Sequence, residues 1–231
     1  MEDLSPVALS WSGGKDSAMA LGALRERGQD VRCLLTTVTE GFERISMHGV
    51  RRDLLQRQAD AAGLPLVEVR IPRECPNEVY EARMGQAVRS LAVDGVHRFA
   101  FGDLFLEDVR EYRVSRLAKE GLQAIFPLWG EDTTQLARSF IDRGFRAILV
   151  TVDPRQLAAD FVGREYDHAL LRDLPSSVDP CGERGEFHSF VWEGPVFSRP
   201  IPVQRGAAVL RDGFWFQDLV AAPARSADQE G

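Results

Sequence analysis

Val7-Ala8-Leu9-Ser10-Trp11-Ser12-Gly13-Gly14-Lys15-Asp16-Ser17 decides how the rest of this chain is read. A short apolar run stops at two glycines, and a segment with Ser17, Ala20, Leu21 and Leu24 on one face follows. The stretch reads as strand, glycine turn, helix. Such a turn is a phosphate cradle. Its glycines let backbone N–H groups approach an anion, the helix N-terminus adds positive potential, and the Ser12 and Ser17 hydroxyls donate to phosphate oxygens. Lys15 supplies compensating charge, and Asp16 is suited to hold magnesium directly or through water. The spacing matches neither G-x-x-x-x-G-K-[ST] nor G-x-G-x-x-G, so a motor NTPase and a dehydrogenase are both disfavoured.

Outward from this turn the pattern repeats. Val31–Val38 is a β-branched run of the type buried in parallel sheets, Val50, Leu54, Leu55, Gln58 and Ala61 recur at helical spacing, and Leu66–Ile71 returns to strand. Asn77–Val93 carries a helical stripe, and Val96–Phe101 is a further strand ending in Gly102-Asp103. Helices follow at Glu107–Gly121 and Thr133–Arg143, with a strand at Ala147–Val152. The alternation predicts an α/β fold, a parallel twisted sheet with helices on both faces, and ligands at the strand carboxyl ends. Beyond it the pattern turns irregular. Short strands are expected at Phe187–Trp192, Val196–Val203, Ala207–Leu210 and Phe214–Leu219, giving a smaller C-terminal α+β domain. The expected division is a first domain over 1–125, a second over 126–222, and a frayed tail over 223–231.

Composition narrows the class. The 231 residues hold 28 Lys and Arg against 35 Asp and Glu, a net charge of −7, so there is no global positive excess to bind nucleic acid. Three cysteines, Cys33, Cys75 and Cys181, form no C-x-x-C pair, which argues against a disulfide framework and a four-thiolate zinc site. No apolar run approaches membrane-spanning length and no signal core opens the chain, so the expected address is the cytoplasm.

Ser12-Gly13-Gly14-Lys15-Asp16-Ser17 resembles the pyrophosphate loop of the N-type ATP pyrophosphatases, a superfamily that cleaves ATP between its α and β phosphates. Met47-His48-Gly49-Val50-Arg51-Arg52, Ala62-Gly63-Leu64-Pro65-Leu66, Gly102-Asp103, Phe126-Pro127-Leu128-Trp129 and Gly182-Glu183-Arg184-Gly185-Glu186-Phe187-His188 are similar to segments of the diphthine–ammonia ligase family. The likeness spans about residues 6 to 200, and the Cys181 and His188 that flank the last motif resemble a bacterial-type branch. It implies a Rossmann-like domain, Mg·ATP as cofactor, a carboxylate-bearing acceptor, ammonia as nitrogen source, and a reaction through an acyl-adenylate that releases pyrophosphate and then AMP. A homodimer is compatible with it; a nucleic-acid or membrane partner is not expected.

On that reading Ser10, Ser12, Gly13, Gly14, Lys15, Asp16, Ser17, Thr36, Thr37 and Gly102 bind nucleotide. Lys15, Asp16, Asp103, Glu183 and Glu186 are the catalytic candidates, with Asp16 and Asp103 as metal ligands. His48, Arg51, Arg52, Cys181 and His188 are the substrate-binding candidates, the arginines because their forked donors suit carboxylate and phosphate. Two other readings compete: a non-catalytic ATP-binding sensor and a thiolation-type RNA-modifying enzyme.

Overall fold

The computed structural model describes residues 4–41, 44–45 and 49–222. His48 and the tail over 223–231 lie outside the described residues. Strand β1 (Val7–Ser10) leads into helix α1 (Lys15–Glu26), followed by β2 (Val31–Thr39), a short β3 (Arg44–Ile45), α2 (Arg52–Ala62), β4 (Leu66–Ile71), α3 (Asn77–Val93), β5 (Arg98–Ala100), α4 (Glu107–Ala118) and β6 (Gln123–Ile125). β4, β2, β1, β5 and β6 pair side by side, all parallel. β3 runs antiparallel to the last residues of β2, on the edge that β1 has vacated.

The sheet order runs one way from β1 to β2 and β4 and the other way to β5 and β6. The reversal opens a crevice between the carboxyl ends of β1 and β5, where ligands of such sheets bind. The turn Ser12–Gly14 and the pair Gly102-Asp103 flank that crevice.

The second half adds α5 (Thr133–Asp142), β7 (Arg146–Val152), a one-turn 3-10 helix at Ala159–Phe161, α6 (His168–Asp173), β8 (Phe187–Glu193), β9 (Val203–Arg211) and β10 (Phe214–Ala221). Its sheet, ordered β8-β7-β10-β9, is wholly antiparallel. The strand expected over Val196–Val203 forms only at its last residue. Pro195, Pro200 and Pro202 interrupt the backbone donors there, and Val196, Phe197 and Ile201 are buried as loop residues instead.

Two apolar layers hold the molecule. On one face of the parallel sheet, Cys33, Leu35, Val69 and Phe99 meet α3 and α4. On the other, Leu21, Leu54 and Leu55 share one continuous core with Phe140, Phe145, Leu149 and Phe190, so the two sheets are packed into a common interior through α1 and α2. Asp218 on β10 extends the junction at the surface, accepting from Arg51 at 2.7 Å and Arg44 at 2.8 Å.

Candidate active site

The turn after β1 is built by its own side chains. Gly14 N–H donates to Ser12 Oγ at 3.2 Å, the Ser17 hydroxyl donates to Gly14 C=O at 2.9 Å, and the two hydroxyls lie 3.3 Å apart. Gly13 sits at φ +78°, and a Cβ there would fall 2.7 Å from Gln58 Oε1 and 2.9 Å from Leu55 Cδ2. Only glycine meets both conditions.

Gln58, fully buried on α2, locks this turn from behind. Its amide donates to Gly13 C=O at 3.0 Å and to Val191 C=O at 2.6 Å, and its oxygen accepts from the Trp11 indole at 3.0 Å. β8 completes the lock: Val191 N–H donates to Gly13 C=O at 2.9 Å, and Lys15 N–H donates to Ser189 Oγ at 3.1 Å. The C-terminal sheet therefore fixes the loop of the N-terminal one. The sequence signal for Gln58 was a polar residue on the apolar stripe of its helix; its partners on β8 have no local signature.

A cleft of about 260 Å³ opens in front of the loop. Ser10, Ser12, Gly14, Lys15, Asp16 and Ser17 form one wall; Gly102 and Asp103 a second; Cys181, Gly182, Glu183 and His188 the third. Residues scattered over the whole sequence thus converge on the switch point. Lys15 Nζ lies 2.6 Å from Asp16 Oδ1 and 5.9 Å from the Phe187 ring centroid. Burial works against the ammonium charge, but Asp16, with Cys181 and Glu183 adding, outweighs it and the Lys15 pKa is raised. Gly102 permits a close approach, since a Cβ would stand 2.9 Å from the Asp16 carbonyl carbon.

Asp103 faces the cleft and is paired with Arg113, whose Nε lies 2.6 Å from Oδ2. Among the described residues no group of three or more His, Cys, Asp or Glu is arranged to hold a metal ion. Asp16 and Asp103 on one cleft fit magnesium in its usual protein role, where one or two carboxylates complement phosphate oxygens and water.

The glycine-rich turn before β8 is stapled by two carboxylates. Asp179 accepts from Cys181 N–H and the Thr133 hydroxyl, both at 2.8 Å. Glu186 accepts from Asp179 N–H and Arg184 N–H, both at 2.9 Å. Both Glu186 oxygens are thus used inside the turn, away from the cleft. Glu183 faces the cleft: one oxygen accepts from Leu104 N–H at 2.8 Å, and burial pushes its pKa up to about 7. The Cys181 thiol is pushed up to about 12 by burial, against the pull of Lys15, so it stays protonated at neutral pH. His188, lowered to about 4 by burial with Lys15 adding, stays neutral.

Besides Glu186 and Gly13, four further candidates fall outside this cleft. Arg51 binds Asp218, and Arg52 Nε donates to Glu68 at 2.5 Å. Thr36 is buried on β2, its hydroxyl without a hydrogen-bond partner among the described residues, and Thr37 is half-buried beside it. Next to the cleft, sharing Ser10, Phe101 and Arg113 with it, an apolar slot of about 140 Å³ lies between α3 and α4, lined by Leu35, Tyr80, Met84 and Val88 among others.

Among the described residues no helix is long and apolar enough to cross a membrane. Residues 5–123 match the family model of the diphthamide synthase N-terminal domain, and residues 132–220 that of the diphthamide synthase C-terminal domain. The chain is 25% identical to the diphthine–ammonia ligase of Rattus norvegicus, over 88% of this chain and 85% of that protein. It is 26% identical to the one of Danio rerio, over 86% of each. The diphthine–ammonia ligase of Schizosaccharomyces pombe, 24% identical over 82% of this chain, is longer, and the match covers 34% of it. With both family domains present and the cleft assembled between them, the chain belongs to the diphthamide synthase family and is an ATP-dependent ligase.

Proposed function

We propose that the chain joins ammonia to a carboxylate through an acyl-adenylate. The observation that carries this reading is the convergence of a glycine phosphate turn, a buried ammonium and Glu183 on one cleft. The loop amides, Ser12, Ser17 and Lys15 would grip the β- and γ-phosphates, and the base would enter the apolar slot past Ser10. A carboxylate oxygen attacks the α-phosphorus, the bond to the β-phosphate oxygen breaks, and pyrophosphate leaves with the electron pair. Charge grows on the leaving group, where Lys15 and the loop donors would offset it. Magnesium held by Asp16 and Asp103 would offset phosphate charge when bound.

Ammonia then attacks the acyl carbon, the bond to AMP breaks, and a proton must be lost from nitrogen. Glu183 is the base for that proton: with a pKa of about 7 it is partly ionised at neutral pH and can accept it. Residues 1–125 serve as the ATP-binding part, and 126–222 close the cleft through β8 and the stapled turn.

The relatives named above act, by name, on diphthine and ammonia, and a carboxylate acceptor of that kind is the nearest analogue. The test is to incubate the protein with ATP labelled at the α-phosphate, with and without ammonium and cell extract. AMP with pyrophosphate is expected; ADP with phosphate would overturn the assignment, and unchanged ATP under every condition would favour a sensor.

A further inference from the structure

A second and larger cavity, about 440 Å³, lies beside the phosphate cleft and is not used by the ATP reading. Its volume is in the range of small-molecule sites. His188 lines both cavities, so the two meet at that side chain. The walls come from both halves of the molecule: Thr39, Ile71, Pro72 and Arg73 from the ends of β2 and β4, and Arg211, Phe214 and Phe216 from the β9–β10 hairpin.

Among the described residues that line it, arginines outnumber carboxylates. Arg44, Arg73 and Arg211 line the cavity against Asp212. Arg44 pairs with Asp218 at 2.8 Å, and Arg211 Nε pairs more loosely with Asp212 Oδ2 at 3.8 Å, its guanidinium carbon 4.7 Å from the Phe216 ring centroid. The hairpin turn fixes its direction: Asp212 and Gly213 both have positive φ, 51° and 83°, the tight geometry that matches strand twist. Arg211 and Arg73 therefore face one space from opposite domains, while Phe214, Phe216 and Ile71 supply an apolar floor.

We propose that this cavity is the acceptor site, and that it takes a free small carboxylic acid carrying a second anionic group. The reacting carboxylate lies at the His188 end, within reach of the phosphate cleft; the second anion lies at the Arg73 and Arg211 end; the carbon skeleton rests on Phe216. This assignment rests on the adenylating reading and adds the acceptor's chemistry to it.

The test is calorimetric titration at neutral pH without nucleotide, using glutarate, adipate and pimelate against monocarboxylates of equal length. The diacids are expected to bind roughly ten-fold tighter, and Arg73→Ala with Arg211→Ala, both at exposed positions, is expected to remove that advantage. Arg211→Lys, which keeps the charge, is expected to restore part of it. Equal binding of mono- and diacids, or a diacid preference that survives both replacements, overturns the proposal. A heptapeptide with γ-carboxyglutamate at its centre presents the same charges on a chain; binding tighter than the free diacids overturns the assignment to a free molecule. A parallel titration with α,β-methylene ATP reports on the nucleotide reading alone, so the failure of one is distinct from the failure of the other.

Discussion

The two cavities that meet at His188 are built on opposite principles. Around the phosphate turn nearly every polar group is spoken for: Gly13 C=O takes two donors, Gln58 makes three bonds, Glu186 is filled by backbone N–H groups of its own turn, and Asp179 by such groups and the Thr133 hydroxyl. Around the larger cavity the arginines project from strand ends and a hairpin, and they are exposed or half-buried. The locked half suits a ligand whose phosphates must be held in one geometry while charge develops. The open half suits recognition of an acceptor, where few contacts and reachable charge decide which molecule enters. Changes to the interlocked groups of the first should cost stability and turnover together, whereas changes to Lys15 and Glu183, which face the cleft, should cost turnover alone; changes in the second should alter selectivity.

The largest effect is expected from Gly13→Ala, which collides with Gln58 and Leu55 and strains a left-handed residue. A loss of about 2–3 kcal/mol of stability is expected by denaturant titration, with ATP turnover abolished. Wild-type stability would show that the lock is looser than described. Lys15→Ala should reduce AMP formation by roughly 10²–10³-fold while the melting transition survives, since the side chain acts on developing charge. A milder effect is expected from Glu183→Gln, about 10²-fold in ligation. Its pH profile is more diagnostic than its size: wild-type ligation should rise through a limb near pH 7, set by the burial of Glu183, and the variant should lack that limb. The stability sign is also defined. A carboxyl raised to about 7 favours the fold below the ordinary glutamate range and loses that contribution as pH rises toward 7, so Glu183→Gln should not be less stable than wild type at pH 8.

The smallest effect should come from Asp218→Asn, which breaks the bridge between β10 and Arg44 and Arg51. About 1 kcal/mol is expected, because these side chains are partly exposed. Hydrogen bonds from Arg51 hold the Asp218 carboxyl below its usual range against the cost of burial, with Arg44 adding; the contribution is complete at neutral pH and lost on acidification. A melting temperature that differs equally at pH 7 and pH 3 would contradict it.

The contrast also explains what was legible in the sequence. Val7–Ser17 announced strand, turn and helix because each local preference agreed with the next, and the parallel order followed from the alternation. Gly102, Asp103 and Glu183 stood out as candidates because they sit at strand or turn ends in glycine-rich surroundings, and all three line the cleft. Gln58, Asp179 and Arg113 were not assigned roles, since their partners lie tens of residues away or more in two of the three cases and no local spacing encodes them. Glu186 shows the reverse: its motif was visible, but which way the carboxylate turned was decided by backbone donors within the turn. The second cavity was illegible because its walls come from both halves of the chain and its arginines carry no pattern.

The division of labour between the two cavities is tested most directly by a crystal structure with α,β-methylene ATP, which cannot be split between those phosphates. The account predicts the β- and γ-phosphates on the Ser12–Ser17 turn beside Lys15, and no nucleotide in the space lined by Arg73 and Arg211. A triphosphate seated among those arginines would contradict it.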